Sequence, residues 1–405
     1  MSDSVVAPPG ARGSAWEVFR VFLKLGVTSF GGPIAHLGYF RTEAVERRGW
    51  LEDEEYADLV ALCQFLPGPA SSQVGFAIGM HRAGIRGALA AFVAFTLPSA
   101  ALMIAFAYGA SLFSGRVGGG VLAGLKIVAV AIVAQAVLGM AKNLAPDKQR
   151  ASIAAVAAVT ALVVAGSAGQ IVAIAFGALA GYVFCRDTEP PTSGVLHVRV
   201  RPAVGGASLV LFAALLFGLP MVVLATQSAG VALFEAFYRA GSLVFGGGHV
   251  VLPLLQAGVV DPGWVSEQQF LAGYGAAQAV PGPLFTFAAS LGAVSTSGPG
   301  GVAGALLALA AVFLPGFLLL VGVLPFWNLL RRRRWAHSVM RGANAAVVGI
   351  LAAALYTPVF STAISGAGSF SLALVCFVLL LAWKTPPWVV VLVGAGGGVL
   401  LALIA

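Results

Sequence analysis

The stretch "FGGPIAHLGYF" at residues 30–40 is followed 215 positions later by "FGGGHVVLPLL" at residues 245–255. The likeness spreads outward from these glycines. Lys24 and Arg239 each stand six positions before the FGG phrase, and Gly26 pairs with Gly241. Trp50 pairs with Trp264, and "QFLPGP" at 64–69 pairs with "QAVPGP" at 278–283. "FTLP" ending at Pro98 answers "VFLP" ending at Pro315, and "GLK" at 124–126 answers "GAN" at 342–344. The offset drifts from 215 to 214 and then to 217 and 218, the slippage that small insertions leave in a duplicated half.

Composition says where the two halves sit. The chain has 405 residues, of which 59% are hydrophobic and only 9% charged, with a mean hydropathy of +0.96. Apolar runs long enough to cross a hydrocarbon core recur at 87–113, 120–141, 151–185 (a hairpin), 205–226, 301–330, 342–360 and 369–405. The first fifteen residues are polar and read as a frayed tail, not a signal peptide. The net charge of +8 is spread over short loops between apolar runs, so it speaks for topology and against nucleic acid. Cys63, Cys185 and Cys376 all lie in apolar segments without ligand spacing, and neither a disulfide nor a metal is expected.

The expected fold is therefore an all-α polytopic protein of the inner (plasma) membrane, with roughly 10 to 13 membrane segments. Its halves are 1–185 and 229–405, joined by a polar, proline-containing cytoplasmic linker at 186–204 and an unpaired apolar helix at 205–228. One unpaired crossing inverts the second half. Charge agrees: the loop carrying Arg41, Arg47 and Arg48 matches "QAGVVDPGWVSEQQ", which has two acids and no base, and the loop of the lone Arg116 matches "RRRR" at 331–334. Equivalent loops swap sign, as an inverted-topology repeat requires.

The breaks inside the apolar segments suggest where a ligand binds. Pro67 and Pro69 split 56–80 into two arms, each about half a bilayer long, so this segment should be re-entrant. A helix that begins at mid-membrane aims unsatisfied N–H groups and partial positive charge at whatever lies before it, and an anion fits there. The candidate binding residues are accordingly Gly31 and Gly32, Gly68 with Ser71 and Ser72, Gly246, Gly247 and Gly248, and Gly282 with Thr286. Lys126 and its repeat mate Asn344 join them as an intramembrane cation and its uncharged counterpart. Lys24, Gln64, Arg239 and Gln278 are pathway candidates. Each has a plainer alternative: Lys24 pairing with Glu17, Arg239 pairing with Glu235 one turn away, and the glutamines satisfying backbone freed by the breaks. His36 and His249 are not repeat-equivalent, which weighs against a shared proton relay.

In the combination of paired FGG phrases, paired PGP phrases after Gln, the GLK and GAN elements and the two-half length, the chain resembles the chromate ion transporter family in its long bacterial form. The likeness runs from about Phe19 to the C-terminus. It implies secondary active export of chromate from the cytoplasm, conferring chromate resistance, with the similarly shaped sulfate dianion as competitor. The residues alone leave a transporter or channel for sulfate or another oxyanion open. The expected partners are a chromate- or sulfate-type oxyanion and the lipid bilayer, with a coupling proton and a second copy in a homodimer as further candidates. No cofactor is expected, and an enzyme is disfavoured because the sequence has no paired thiols, His/Cys cluster or dinucleotide fingerprint.

The sign swap predicts that a cysteine placed at Asp261 is labelled by an impermeant thiol reagent from outside the cell, whereas one placed at Arg48 is not. The reverse labelling would reject the inverted arrangement.

Overall fold

The computed structural model describes residues 13–110, 115–164, 166–186 and 200–404. Most of the expected linker and of the N-terminal tail lies outside the described residues. In the first half, α1 (Ala15–Thr28) and α2 (Gly32–Arg41) flank the FGG phrase, and α3 (Asp53–Phe65) and α4 (Ala70–Gly109) flank PGP. Helical geometry lapses at Ala83 and Gly84, so α4 is a short arm followed by a full crossing. Helix α5 (Gly115–Leu144) carries GLK, and α6 (Lys148–Val163) with α7 (Gly166–Phe184) forms a hairpin. The unpaired helix α8 (Pro202–Thr226) follows.

The second half repeats this order. Helices α9 (Ala229–Ser242) and α10 (Val251–Leu255) flank FGG, while α11 (Glu267–Ala277) and α12 (Phe287–Val294) flank PGP. The crossing α13 (Gly301–Val323) ends in the single turn α14 (Trp327–Leu330). Helix α15 (Arg334–Ala354) carries GAN and runs through a π-turn into α16 (Ser361–Ala363). The apolar run at 369–405 resolves into a second hairpin, α17 (Ala367–Leu381) and α18 (Pro387–Ile404), because Lys384, Pro386 and Pro387 interrupt it. Seven helices among the described residues are long and apolar enough to cross a bilayer, and shorter apolar helices accompany them. The chain is a multi-pass membrane protein of two inverted halves.

Both breaks in each half are re-entrant, not only the PGP pair. Glu17 at the start of α1 pairs with Arg82 at the end of the α4 arm (3.3 Å), and Arg41 at the end of α2 pairs with Asp53 at the start of α3 (2.7 Å). Arg48 and Arg82 both stand over the Trp50 ring. All four hairpin ends of the first half thus share one face, which Asp58 joins to Arg331 of the second half (3.2 Å). The four equivalent ends gather on the opposite face. There Ser297 Oγ donates to the Ala229 carbonyl, Thr296 N–H to the Trp264 carbonyl, and Thr362 Oγ1 to Glu267 Oε2.

The halves are intertwined. The α17–α18 hairpin of the second half packs along α5 of the first, and the α6–α7 hairpin of the first packs along α15 of the second. Small residues make this approach close, which is how helices associate where lipid is as apolar as leucine. A β-carbon on Gly124 of GLK would strike the Gly394 carbonyl, and one on Gly342 of GAN would strike the Gly177 carbonyl and Gly181. The GLK and GAN glycines are thus equivalent in packing as well as in sequence.

Because overpacking of a tight contact costs about 1–3 kcal/mol, Gly342→Val should lower the melting midpoint of the detergent-purified protein by several degrees. Gly396→Ala on α18 meets nothing within 4 Å and should leave it unchanged. Thermal unfolding followed by size-exclusion chromatography checks both.

Candidate functional site

Two crossed hydrogen bonds close the centre. The Gly68 amide of the first PGP donates to the Val244 carbonyl (2.8 Å), and the Gly282 amide of the second PGP donates to the Ser29 carbonyl (3.0 Å). Each PGP loop thereby satisfies the carbonyl that precedes the other half's FGG. Non-helical backbone at membrane depth needs such partners. Both glycines sit at φ values that L side chains rarely adopt, +121° and +97°. Each also abuts the other half's post-proline residue: a β-carbon on Gly68 would lie 3.0 Å from Gly316 Cα, and one on Gly282 3.0 Å from Ser99 Oγ. The two FGG breaks meet as well, where a β-carbon on Gly248 would stand 3.2 Å from Pro33 Cγ.

This geometry corrects part of the expected site. The amides of Gly68 and Gly282 are spent on carbonyls and cannot be offered to a ligand. Thr286 is buried, with its hydroxyl donated to the Pro283 carbonyl (2.7 Å). Ser71 and Ser72 are buried and line none of the three cavities described below, although Ser72 Oγ has no partner. Lys126 is half-buried on α5 and also lines none of them. Lys24 is exposed, and Glu17 pairs with Arg82 in its place. Arg239 takes the plainer alternative, pairing with Glu235 at 2.9 Å. Backbone freed at the first PGP is satisfied by Gln73, which the sequence reading did not single out: its Nε2 donates to the carbonyls of Pro67 (3.0 Å) and Gly316 (2.9 Å).

What the structure does bring together is Gly31, Gly32, Gln278 and Gly282, around a cavity of about 290 Å³ shared by the two halves. Its wall also includes Gln135 of α5, His249 and the tip of the α17–α18 hairpin at Lys384. Gly31 stands at φ +103°, just before Pro33 sets the first turn of α2. None of the turn and loop hydrogen bonds among the described residues engages the amides of Gly31 or Gly32. Gln278 Nε2 is buried without a partner. Among the described residues no carboxylate lines the cavity, and the one fixed cation is Lys384. Unpaired N–H donors, an amide side chain and an ammonium group, with no competing acid, are the chemistry that suits an anion.

Lys384 occupies an unusual place. Thr385 N–H donates to the Leu379 carbonyl (3.0 Å), closing a seven-residue turn at the end of α17 whose sixth residue lies in the left-handed region. Lys384 is that residue, at φ +52°. Glycine is the usual occupant, and the corresponding hairpin tip between α6 and α7 has Gly166 at φ +74°. A lysine held there carries strain of order 1–3 kcal/mol. Gly166 in turn lines a smaller cavity of about 80 Å³ on the opposite face, together with Asp261. Burial, and after it the charge of Glu267, pushes the Asp261 carboxyl above the usual carboxylate range.

Gln64 and Asn344 face a third space, about 440 Å³, on the face that holds Asp58 and Arg331. A β-carbon on Gly246 would lie 3.5 Å from Asn344 Oδ1, an atom without a hydrogen-bond partner, while one on Gly247 would meet nothing within 4 Å. Among the described residues no group of His, Cys, Asp and Glu has metal-binding geometry.

The sequence pattern of the family described as "Chromate transporter" matches residues 16–182 and again 231–399, the same two halves in the same drifting register. Curated relatives cover nearly the whole chain. A "Probable chromate transport protein" of Synechococcus elongatus is 31% identical over 84% of this chain and 83% of its own length. A "Chromate transport protein" of Pseudomonas aeruginosa is 28% identical over 94% and 90%, and one of Cupriavidus metallidurans 27% over 96% and 92%. No solved structure matches. With both halves matched and the crossed glycine breaks in place, the chain belongs to the chromate transporter family.

Proposed function

We propose that this protein exports chromate from the cytoplasm and thereby confers chromate resistance, with sulfate competing as a dianion of similar shape. The anion rests between the Gly31 and Gly32 amides, Gln278 and Lys384. The observation that carries this reading is Lys384, a cation placed in a left-handed position that the other half gives to glycine, at the wall of a cavity without carboxylates. The names of the relatives support chromate as the substrate.

A transporter is favoured over a channel by the crossed bonds from Gly68 and Gly282, which pin the two halves together at the centre instead of leaving a pore. Alternating access then consists of exchanging the shapes of the two halves. Export of a dianion needs little further driving force. Moving two negative charges out of a cell with a negative interior releases about 4.6 kcal/mol per 100 mV, which supports a gradient of about 10³-fold. A coupling proton can add to this but is not required by the energetics.

Proteoliposomes with an imposed potassium–valinomycin potential test the reading. Chromate flux should rise when the receiving side is positive and fall when sulfate is added. Lys384→Gln should reduce flux at least about tenfold, while Lys384→Arg keeps part of it because the charge remains. Lys384→Gly should also lose flux, yet raise thermal stability by relieving the left-handed strain. Lys126→Gln should have a much smaller effect. Unaltered chromate flux in Lys384→Gln would reject the site.

A further inference from the structure

We infer that the 440 Å³ cavity between α3 and α15 is a second, separate oxyanion subsite, in which the bound anion replaces Asp58 as the partner of Arg331. The inference rests on the reading of the chain as an oxyanion transporter. Asp58 and Arg331 are both buried, with side chains 5% and 8% exposed, and both line the cavity. Arg331 reaches both Asp58 oxygens through NH1 alone, at 3.2 Å each. A guanidinium has five N–H donors in a fork that suits two oxygens at once, so this one-nitrogen grip leaves most of its donor capacity unmatched by Asp58. Trp327 Nε1–H donates to the same carboxylate (3.1 Å), and His337 Nε2–H donates to the Arg331 carbonyl (2.8 Å), which fixes both ends of the arginine. Arg341 adds a second guanidinium to the wall, and the acid Glu54 is exposed at the cavity mouth.

The other half serves as an internal control. At the repeat-equivalent positions, Asp58 becomes Ala272, Glu54 becomes Gln268, His337 becomes Gly119 and Arg341 becomes Ala123. There the equivalent helices α11 and α5 pack directly on one another without any of these charges, whereas α3 and α15 stand apart around the charged cavity. A buried ion pair seldom stabilises a protein more than well-packed apolar residues would, which leaves a ligand or a switch as its reason to be present. Asp58 belongs to the re-entrant hairpin of the first half and Arg331 to the end of the α13 crossing of the second. A doubly charged oxyanion is the ligand class that can compete for a buried arginine. Taking Arg331 from Asp58, it also unfastens one half from the other on this face.

The test uses the full chain with Ala61→Cys, a substitution at an exposed position on the cavity wall, while the three native cysteines are buried. Sulfate, compared with chloride at equal ionic strength, should slow alkylation of this cysteine at least about threefold. Adding Asp58→Asn, which keeps the size and an acceptor for Trp327, should bring the same protection at a sulfate concentration at least about fivefold lower. Adding Arg331→Gln should abolish it. Protection that persists with Lys384→Gln places the anion here and not in the inner cavity, whatever that variant does to flux. Absence of protection in the Ala61→Cys protein, or protection insensitive to Asp58→Asn, overturns the inference, and the second outcome decides even if Arg331→Gln fails to fold.

Discussion

Four pairs of helix ends stop at the middle of the bilayer, and their backbone groups have no water to turn to. The structure answers with two crossed amide–carbonyl bonds, Gly68 to Val244 and Gly282 to Ser29. Each half supplies the donor that the other half's break requires, so neither re-entrant pair is satisfied alone. Much else follows from that dependence. PGP loops must reach across the pseudo-twofold axis, so the residue after the crossing proline, Ser99 or Gly316, has to be small or shaped to admit a glycine. The hairpins α6–α7 and α17–α18 likewise pack on the opposite half, through glycines whose β-carbons would collide with carbonyls.

On this symmetric frame the charges are asymmetric. One hairpin tip carries Lys384, the other Gly166. One vestibule holds Asp58, Arg331, His337 and Arg341, and the repeat mates of Asp58, His337 and Arg341 are Ala272, Gly119 and Ala123. Both sets belong to cavities that are larger, about 440 and 290 Å³, than the 80 Å³ space on the opposite face, where Asp261 would repel an anion. A duplicated scaffold supplies two related shapes for alternating access. In the proposed export cycle, charge on only one of the two faces would let that side collect the anion and the other release it.

The architecture was largely legible in the sequence, because glycine and proline act on the backbone directly and kept their register across the repeat. The FGG and PGP phrases, the unpaired helix α8 and the opposed loop charges each correspond to an observed feature. The site was only partly legible. Gly31, Gly32 and Gln278 line the central cavity, whereas Gly68 and Gly282 resemble them in sequence but give their amides to the other half. No local rule distinguishes a free amide from one used across 176 residues of chain, as between Gly68 and Val244. Lys384 was hidden inside a run read as one apolar segment, though its neighbours Pro386 and Pro387 signalled the turn that exposes it. Lys126 drew attention as a lone intramembrane charge, but helical phase, which sequence alone does not set relative to neighbours, turns it away from all three cavities.

The distinction between free and engaged glycine amides decides which breaks can meet an anion. It can be read directly by NMR of the glycine-¹⁵N-labelled protein in lipid nanodiscs, titrated with sulfate, a non-oxidising mimic of chromate. The Gly31 and Gly32 amide resonances should shift in a saturable way, while those of Gly68 and Gly282, held by carbonyls, stay in place. Saturable shifts at Gly68 and Gly282 with Gly31 and Gly32 unmoved would contradict it.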